Sequence, residues 1–191
     1  MTIIMQKPFV QTAPGAASFH ALGTEVQVLV TDPAELPAIV AHVVARFDEI
    51  DRTFSRFRPD SELARLDWLP GVRQPASELF LELLALALRA ARDTDGWFDP
   101  TVRDALEAAG YDRSIELIEA DGPGPTRPAH QAGQWERIAY DRQRHWVCVP
   151  EGVRLDFGGI GKGFAADYAL RDLPAEGGVL VNAGGDLAGH G

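Results

Sequence analysis

Between Leu155 and Gly163 an aspartate, four glycines and a lysine occur in the order Asp156, Gly158, Gly159, Gly161, Lys162, Gly163. Val153 and Leu155 read as the end of a strand. Phe164, Ala165, Tyr168, Ala169 and Leu173 recur at helical spacing beyond it. A strand that turns tightly into a helix presents backbone N–H groups and the positive end of a helix dipole, a setting that favours a phosphate. The glycines permit positive φ and let a ligand approach without meeting a Cβ. Lys162 supplies a cation at the mouth, and Asp156 an oxygen acceptor on the other side. The same turn could equally be kept for packing. It is not a Walker A loop, because Asp156 stands where the first Gly belongs and Gly163 where Ser or Thr follows the Lys. The spacing Gly159, Gly161, Gly163 is one residue short of the dinucleotide fingerprint. Asp156-Phe157-Gly158 lacks the preceding His-Arg-Asp loop of a kinase.

Four further segments combine aromatic, polar and glycine residues in the same manner. They are His20 to Thr24, Phe54 to Leu63, Gly96 to Thr101 and Val181 to Asp186. Each alone has a plainer reading: Phe57 or Trp97 as core, Asp99 as a helix cap. His20 and His190 have no His or Cys at ligand spacing that would suggest zinc.

The elements that must hold these segments follow from periodicity. Residues 18–30 alternate as a strand, with Val26, Val28 and Val30 on one face and Glu25 and Gln27 on the other. Asp32-Pro33-Ala34-Glu35 is a helix start with N-cap, Pro at N1 and Glu at N3. The helix it opens carries Leu36, Ile39, Val40, Val43, Val44, Phe47, Ile50 and Phe54 as a core face. Ser77 caps a second helix reaching about Arg92, with Gly96 beyond its end, and a third follows Asp99-Pro100. Residues 120–134 are a Pro/Gly-rich loop. Short strands are expected near 136–141, 145–150, 153–156 and 178–182. Helices and strands mix without regular βαβ alternation, which gives an α+β class.

Composition limits the partners. The 191 residues suit one domain with a small appendage, and 46% hydrophobic content supplies a core. A net charge of −10 with no Lys/Arg run argues against nucleic acid. Cys148 is the single cysteine, so no internal disulfide is possible. Its place in the alternating run Trp146 to Val149 reads as a buried structural thiol. No apolar run would span a bilayer, and the N-terminus shows no signal peptide, so a cytoplasmic protein is expected.

Taken together and in order, the five segments resemble the FAD:protein FMN transferase (ApbE) family. The resemblance is carried by Ser61-Glu62-Leu63, Phe98-Asp99-Pro100-Thr101-Val102, the run from Leu155 to Asp167, and Val181 to Asp186. It implies an ApbE-like α+β fold of mixed or antiparallel sheets packed with helices over residues 18–191, after an N-terminal extension, 1–17. It also implies Mg²⁺-dependent cleavage of FAD, transfer of FMN to a Thr or Ser hydroxyl of an acceptor flavoprotein, and release of AMP. By the same resemblance, Leu22, Phe57, Trp97, Phe98, Asp99, Asp156 and Lys162 fall at cofactor-contacting positions. Gly159 falls at a metal-contacting one, where only its carbonyl could serve. Three of these side chains are aromatic and able to stack on a ring.

The sequence departs from the family by ending at Gly191. The family continues with a His-containing segment proposed to activate the acceptor hydroxyl and a late Asp/Thr segment holding the remaining metal ligands. The expected fold therefore lacks its C-terminal part, and no catalytic residue is identified within these residues. Smaller departures are Leu22 where Met is common and Arg103-Asp104 where Gly-Pro often follows. The alternatives are a flavin-binding or inactive remnant, or an FAD hydrolase giving FMN and AMP. On their own, residues 1–191 are expected to bind FAD weakly and not to transfer FMN.

Overall fold

A computed structural model describes residues 10–13, 15–111 and 132–191. The Pro/Gly-rich stretch expected at 120–134 lies outside the described residues up to 131. The chain forms two units, one comprising the residues through Asp51 with Gly161–Gly191, the other Arg52–Ile160.

The first unit is built on a five-stranded antiparallel sheet of β1 (Val10–Ala13), β2 (Ala16–Ala21), β3 (Thr24–Val30), β7 (Val179–Ala183) and β8 (Asp186–His190), in the order β1-β2-β3-β7-β8. Alternation fixes the register: Val26, Val28 and Val181 are buried, while Glu25 and Gln27 face outward. The run 18–30 is not one strand but a hairpin, broken at Leu22-Gly23, where φ is +52° and +70°. Two successive residues at positive φ give the primed turn that matches strand twist.

Helix α1 (Leu36–Phe54) begins after the turn that Asp32 closes by accepting from Ala34 N at 2.9 Å. Glu35 does not complete a capping box, because its carboxylate instead accepts from the N–H groups of Glu176 and Gly177. All eight residues of the stripe from Leu36 to Phe54 are buried. Fully burying one such side chain is worth about 1.5–3 kcal/mol, so tertiary packing rather than propensity holds the helix. Phe47 meets Phe19 of β2 edge-on at 5.6 Å. Helix α5 (Gly161–Ala169) lies against β7 and β8, with Phe164, Ala165, Tyr168 and Ala169 buried.

The second unit contains α2 (Glu62–Leu66), β4 (Gln74–Pro75), α3 (Glu78–Asp93), α4 (Arg103–Ala108), a 3-10 turn (Trp135–Arg137), β5 (Ala139–Asp141) and β6 (Trp146–Cys148). Its three strands form an antiparallel sheet in the order β4-β6-β5. Ser77 caps α3 as expected, its Oγ accepting from Phe80 N at 3.1 Å. The core gathers around Phe157, which meets Phe54 and Phe80 edge-on, while those two stack at 5.6 Å.

Three expectations give way here. Residues 153–156 join no sheet, and the Asp156 N–H instead donates to Pro100 O at 2.8 Å. The short α2 intervenes before the Ser77 helix. Cys148 is half-buried rather than buried, because Val147 and Val149 take the inward positions of the alternation. The class is α+β with antiparallel sheets, and among the described residues no helix is long and apolar enough to cross a membrane.

Candidate functional site

In the second unit the Ser61-Glu62-Leu63 segment is a clamp. Ser61, fully buried, caps α2 by accepting from Ala64 N at 3.0 Å and donates its Oγ proton to Ser55 O at 2.7 Å. Glu62 takes the N–H and hydroxyl of Ser77, both at 2.7 Å, and so ties α2 to the start of α3. Leu63 is buried beneath them. The loop from Ser55 to Ser61, which carries Arg56 and Phe57, is thereby closed on itself, with Ser61 N also donating to Arg58 O.

Arg56 and Asp156 form a buried ion pair, Nε to Oδ2 at 3.1 Å, with side chains 5% and 8% exposed. Asp156 Oδ1 accepts from Gly158 N at 2.7 Å. The guanidinium lies over two rings, 4.6 Å from the centre of Phe57 and 4.3 Å from that of Tyr111. Its Nη1 and Nη2 are buried and have no hydrogen-bond partner.

Phe98 lies directly over Gly159, where a Cβ would come within 3.2 Å of its ring. Trp97 is 94% exposed, on a turn opened by Asp95 and Gly96, both at positive φ. Both Asp99 oxygens are engaged: Oδ1 accepts from Thr101 N and Oγ1, Oδ2 from Gly133 N. That carboxylate holds a turn in this structure.

Gly158, Gly159, Gly161 and Gly163 all lie outside the left-handed region, so positive φ does not account for them, and close approach does so only at Gly158 and Gly159. A Cβ on Gly158 would sit 2.9 Å from Asp156 Oδ1, whereas one on Gly161 would meet open space.

In the first unit, the hairpin turns at Leu22-Gly23 and Gly184-Gly185 lie at the same end of the sheet. Gly184 N donates to Glu25 O, and a Cβ on Gly184 would strike Thr24 Oγ1 at 2.5 Å. Asn182 Oδ1 accepts from Gly185 N and shapes the second turn. The first turn of α5 adjoins that hairpin, with the Gly163 Cβ position 3.9 Å from Asp186. Lys162 is half-buried there.

Arg56 and Tyr111 are the members that sequence reasoning passed over. Arg56 stood inside a segment already singled out, but nothing local shows that it pairs with Asp156. A separate cavity of about 470 Å³ in this unit has Asp67, Asp104, Glu107 and Arg154 on its wall, and none of the residues expected at the cofactor lines it. Its charges are matched among themselves. Arg154 donates to Asp104 and Glu107 at 2.9 and 2.6 Å, and Arg103 to Asp67 and Glu107 at 2.7 and 3.0 Å. Burial pushes the Glu107 carboxyl up, but the hydrogen bonds from Arg154 and Arg103 outweigh it and hold the group below the usual value of 4.5.

Among the described residues no group of three or more His, Cys, Asp or Glu is placed to hold a metal ion. The described side chains therefore do not by themselves form a Mg²⁺ site, and Gly159, the expected metal contact, has only its carbonyl to offer.

An antiparallel α+β protein with a Gly-rich turn into a helix and a buried carboxylate at the head of that turn is the class defined so far. The chain belongs to the ApbE family, whose sequence model matches residues 22–191. It is 29% identical over 172 residues to a FAD:protein FMN transferase of Klebsiella pneumoniae (strain 342), covering 87% of this chain and 49% of that protein. A FAD:protein FMN transferase of Salmonella typhimurium is 26% identical, over 97% of this chain and 56% of its own length. Among solved structures, the ApbE protein of Thermotoga maritima superposes with a TM-score of 0.74 at 25% identity, covering 94% of this chain and 57% of that one. The apo form of the Pseudomonas stutzeri flavinyl transferase ApbE gives 0.75 at 24% identity, covering 100% and 63%. The chain spans about half the length of the curated relatives it matches.

Proposed function

We propose that these residues supply the flavin-nucleotide site of a FAD:protein FMN transferase. In the proposed reaction the hydroxyl oxygen of a Thr or Ser on an acceptor flavoprotein attacks the FMN phosphorus of FAD. The bond from that phosphorus to the bridging oxygen breaks, AMP leaves with the bridging oxygen, and the hydroxyl proton passes to a base. The observation that carries this reading is the family match over 22–191. That range includes each residue that the resemblance assigns to the cofactor: Leu22, Phe57, Trp97, Phe98, Asp99, Asp156 and Lys162.

Lys162 is assigned the offsetting of phosphate charge, Phe57, Trp97 and Phe98 stacking, and Asp156 the acceptance of hydrogen bonds. Mg²⁺, when bound, neutralises charge on the pyrophosphate. The Gly159 carbonyl is its assigned ligand here, and further oxygens from protein, water or the phosphates must complete six-fold coordination.

The test is incubation with FAD, Mg²⁺ and an apo acceptor flavoprotein, read by intact mass of the acceptor and by the adenine nucleotide released. Transfer adds one FMN to the acceptor and frees AMP in equal amount. Free FMN and AMP with an unmodified acceptor would identify a hydrolase. Residues 1–191 alone, with one carbonyl for the metal among the described groups, are expected to return FAD intact. The protein with the remaining metal oxygens supplied is expected to transfer, and to stop on addition of EDTA. Failure of that protein to modify any acceptor refutes the transferase reading.

A further inference from the structure

We infer that Arg56 is a ligand-binding residue that recognises the neutral, carbonyl-bearing edge of the flavin ring, a role separate from phosphate binding. The inference deepens the flavin reading above and rests on it.

Arg56 has one partner for a group with five N–H donors. Nε is committed to Asp156, while Nη1 and Nη2, both buried, find no acceptor. Buried donors of a charged group are costly to leave unmatched, and such a pair in a folded protein marks a place where an acceptor belongs. The Phe57 and Tyr111 rings give partial compensation through their π faces but accept none of these N–H bonds in the plane of the guanidinium. Burial alone does not explain an arginine here, since a plain charge partner for Asp156 needs only one nitrogen.

The surroundings select the ligand. Asp156 already neutralises Arg56, so a doubly charged pyrophosphate would gain little attraction and would face the carboxylate as well. A neutral carbonyl acceptor on a flat aromatic ring meets no such repulsion. It can take the free nitrogens side by side while its ring lies among Phe57 and Tyr111. The pyrimidinedione edge of an isoalloxazine fits that description. Adenine, which offers ring nitrogens and no carbonyl, is the competing occupant. Phe57, one of the two rings over the guanidinium, is 41% exposed, and Ser61 holds the loop on which it and Arg56 sit.

The test compares FAD, riboflavin and ADP as ligands of residues 1–191 and of Arg56→Lys, which keeps a cation beside Asp156 but loses the paired nitrogens. Arg56→Met is the second variant, and circular dichroism confirms folding of each. The expected result is loss of about tenfold in affinity for FAD and for riboflavin, the worth of one charged hydrogen bond, with ADP bound as before. Equal weakening for all three ligands, weakening for ADP alone, or no change overturns the inference while leaving the flavin reading intact. A parent chain that binds neither FAD nor riboflavin overturns both.

Discussion

Replacing Ser61 with Ala removes two hydrogen bonds from a fully buried site and leaves nothing that can replace them. Loss of an N-cap side chain costs about 1 kcal/mol. The Ser55 carbonyl loses its recorded acceptance from the hydroxyl, and a buried acceptor left unmade costs about 1–3 kcal/mol. The cavity is one oxygen atom wide and adds little. A total of about 2–4 kcal/mol follows, which for a chain of this size lowers the melting temperature by roughly 4–16 °C. Thermal unfolding followed by tryptophan fluorescence reads the shift. The consequence for binding is separate: the loop carrying Arg56 and Phe57 keeps only the backbone bond from Ser61 N to Arg58 O and loses the hydroxyl's bond to Ser55 O, so FAD affinity falls even at temperatures where the variant is folded. A melting shift below about 1 °C, or a full shift with FAD affinity unchanged, would refute the reasoning that Ser61 positions this loop.

Lys162→Ala is expected to leave stability within about 0.5 kcal/mol and to weaken FAD and ADP but not riboflavin, as measured by fluorescence and calorimetric titration. Two glycines should separate in a melting experiment. Gly184→Ala, at φ +63° with a Cβ 2.5 Å from Thr24 Oγ1, should lose more than about 1 kcal/mol, whereas Gly161→Ala, facing open space, should lose almost nothing. The lowered carboxyl of Glu107 contributes stability that is present above pH 4.5 and is lost as pH falls through its depressed folded value. Glu107→Gln should therefore flatten the fall of melting temperature below about pH 4.5, and an unchanged slope would count against the Arg103–Glu107–Arg154 network.

The long helices were legible because their signals are local and repeated. Eight residues from Leu36 to Phe54 keep one period, and Ser77 is followed at once by an apolar face. The hairpin at Leu22-Gly23 was not legible, because Leu is a poor marker for φ of +52° and the flanking residues alternate straight through the turn. Helix α2 is too short to show a period, and 153–156 looked like a strand because an extended, buried segment has the same alternation whether or not it joins a ladder. The Gly-rich run was recognised from composition, but the reason for its glycines was not. Gly158 and Gly159 sit where Asp156 and Phe98 press against the backbone, and neither contact can be seen along the sequence. Of the second unit's candidate residues, the resemblance marked Phe57, Trp97, Phe98, Asp99, Asp156 and Gly159. It passed over the Arg56–Asp156 pair, which depends on tertiary closure between distant segments.

The most direct test of flavin-nucleotide recognition is an FAD titration of residues 1–191 followed by quenching of flavin fluorescence, with riboflavin in parallel. Saturable quenching by a folded chain, with FAD bound more tightly than riboflavin, is the expected result, since only FAD carries the phosphates assigned to Lys162 and the start of α5. No saturable binding of FAD at millimolar concentration, or equal affinity for the two ligands, would contradict it.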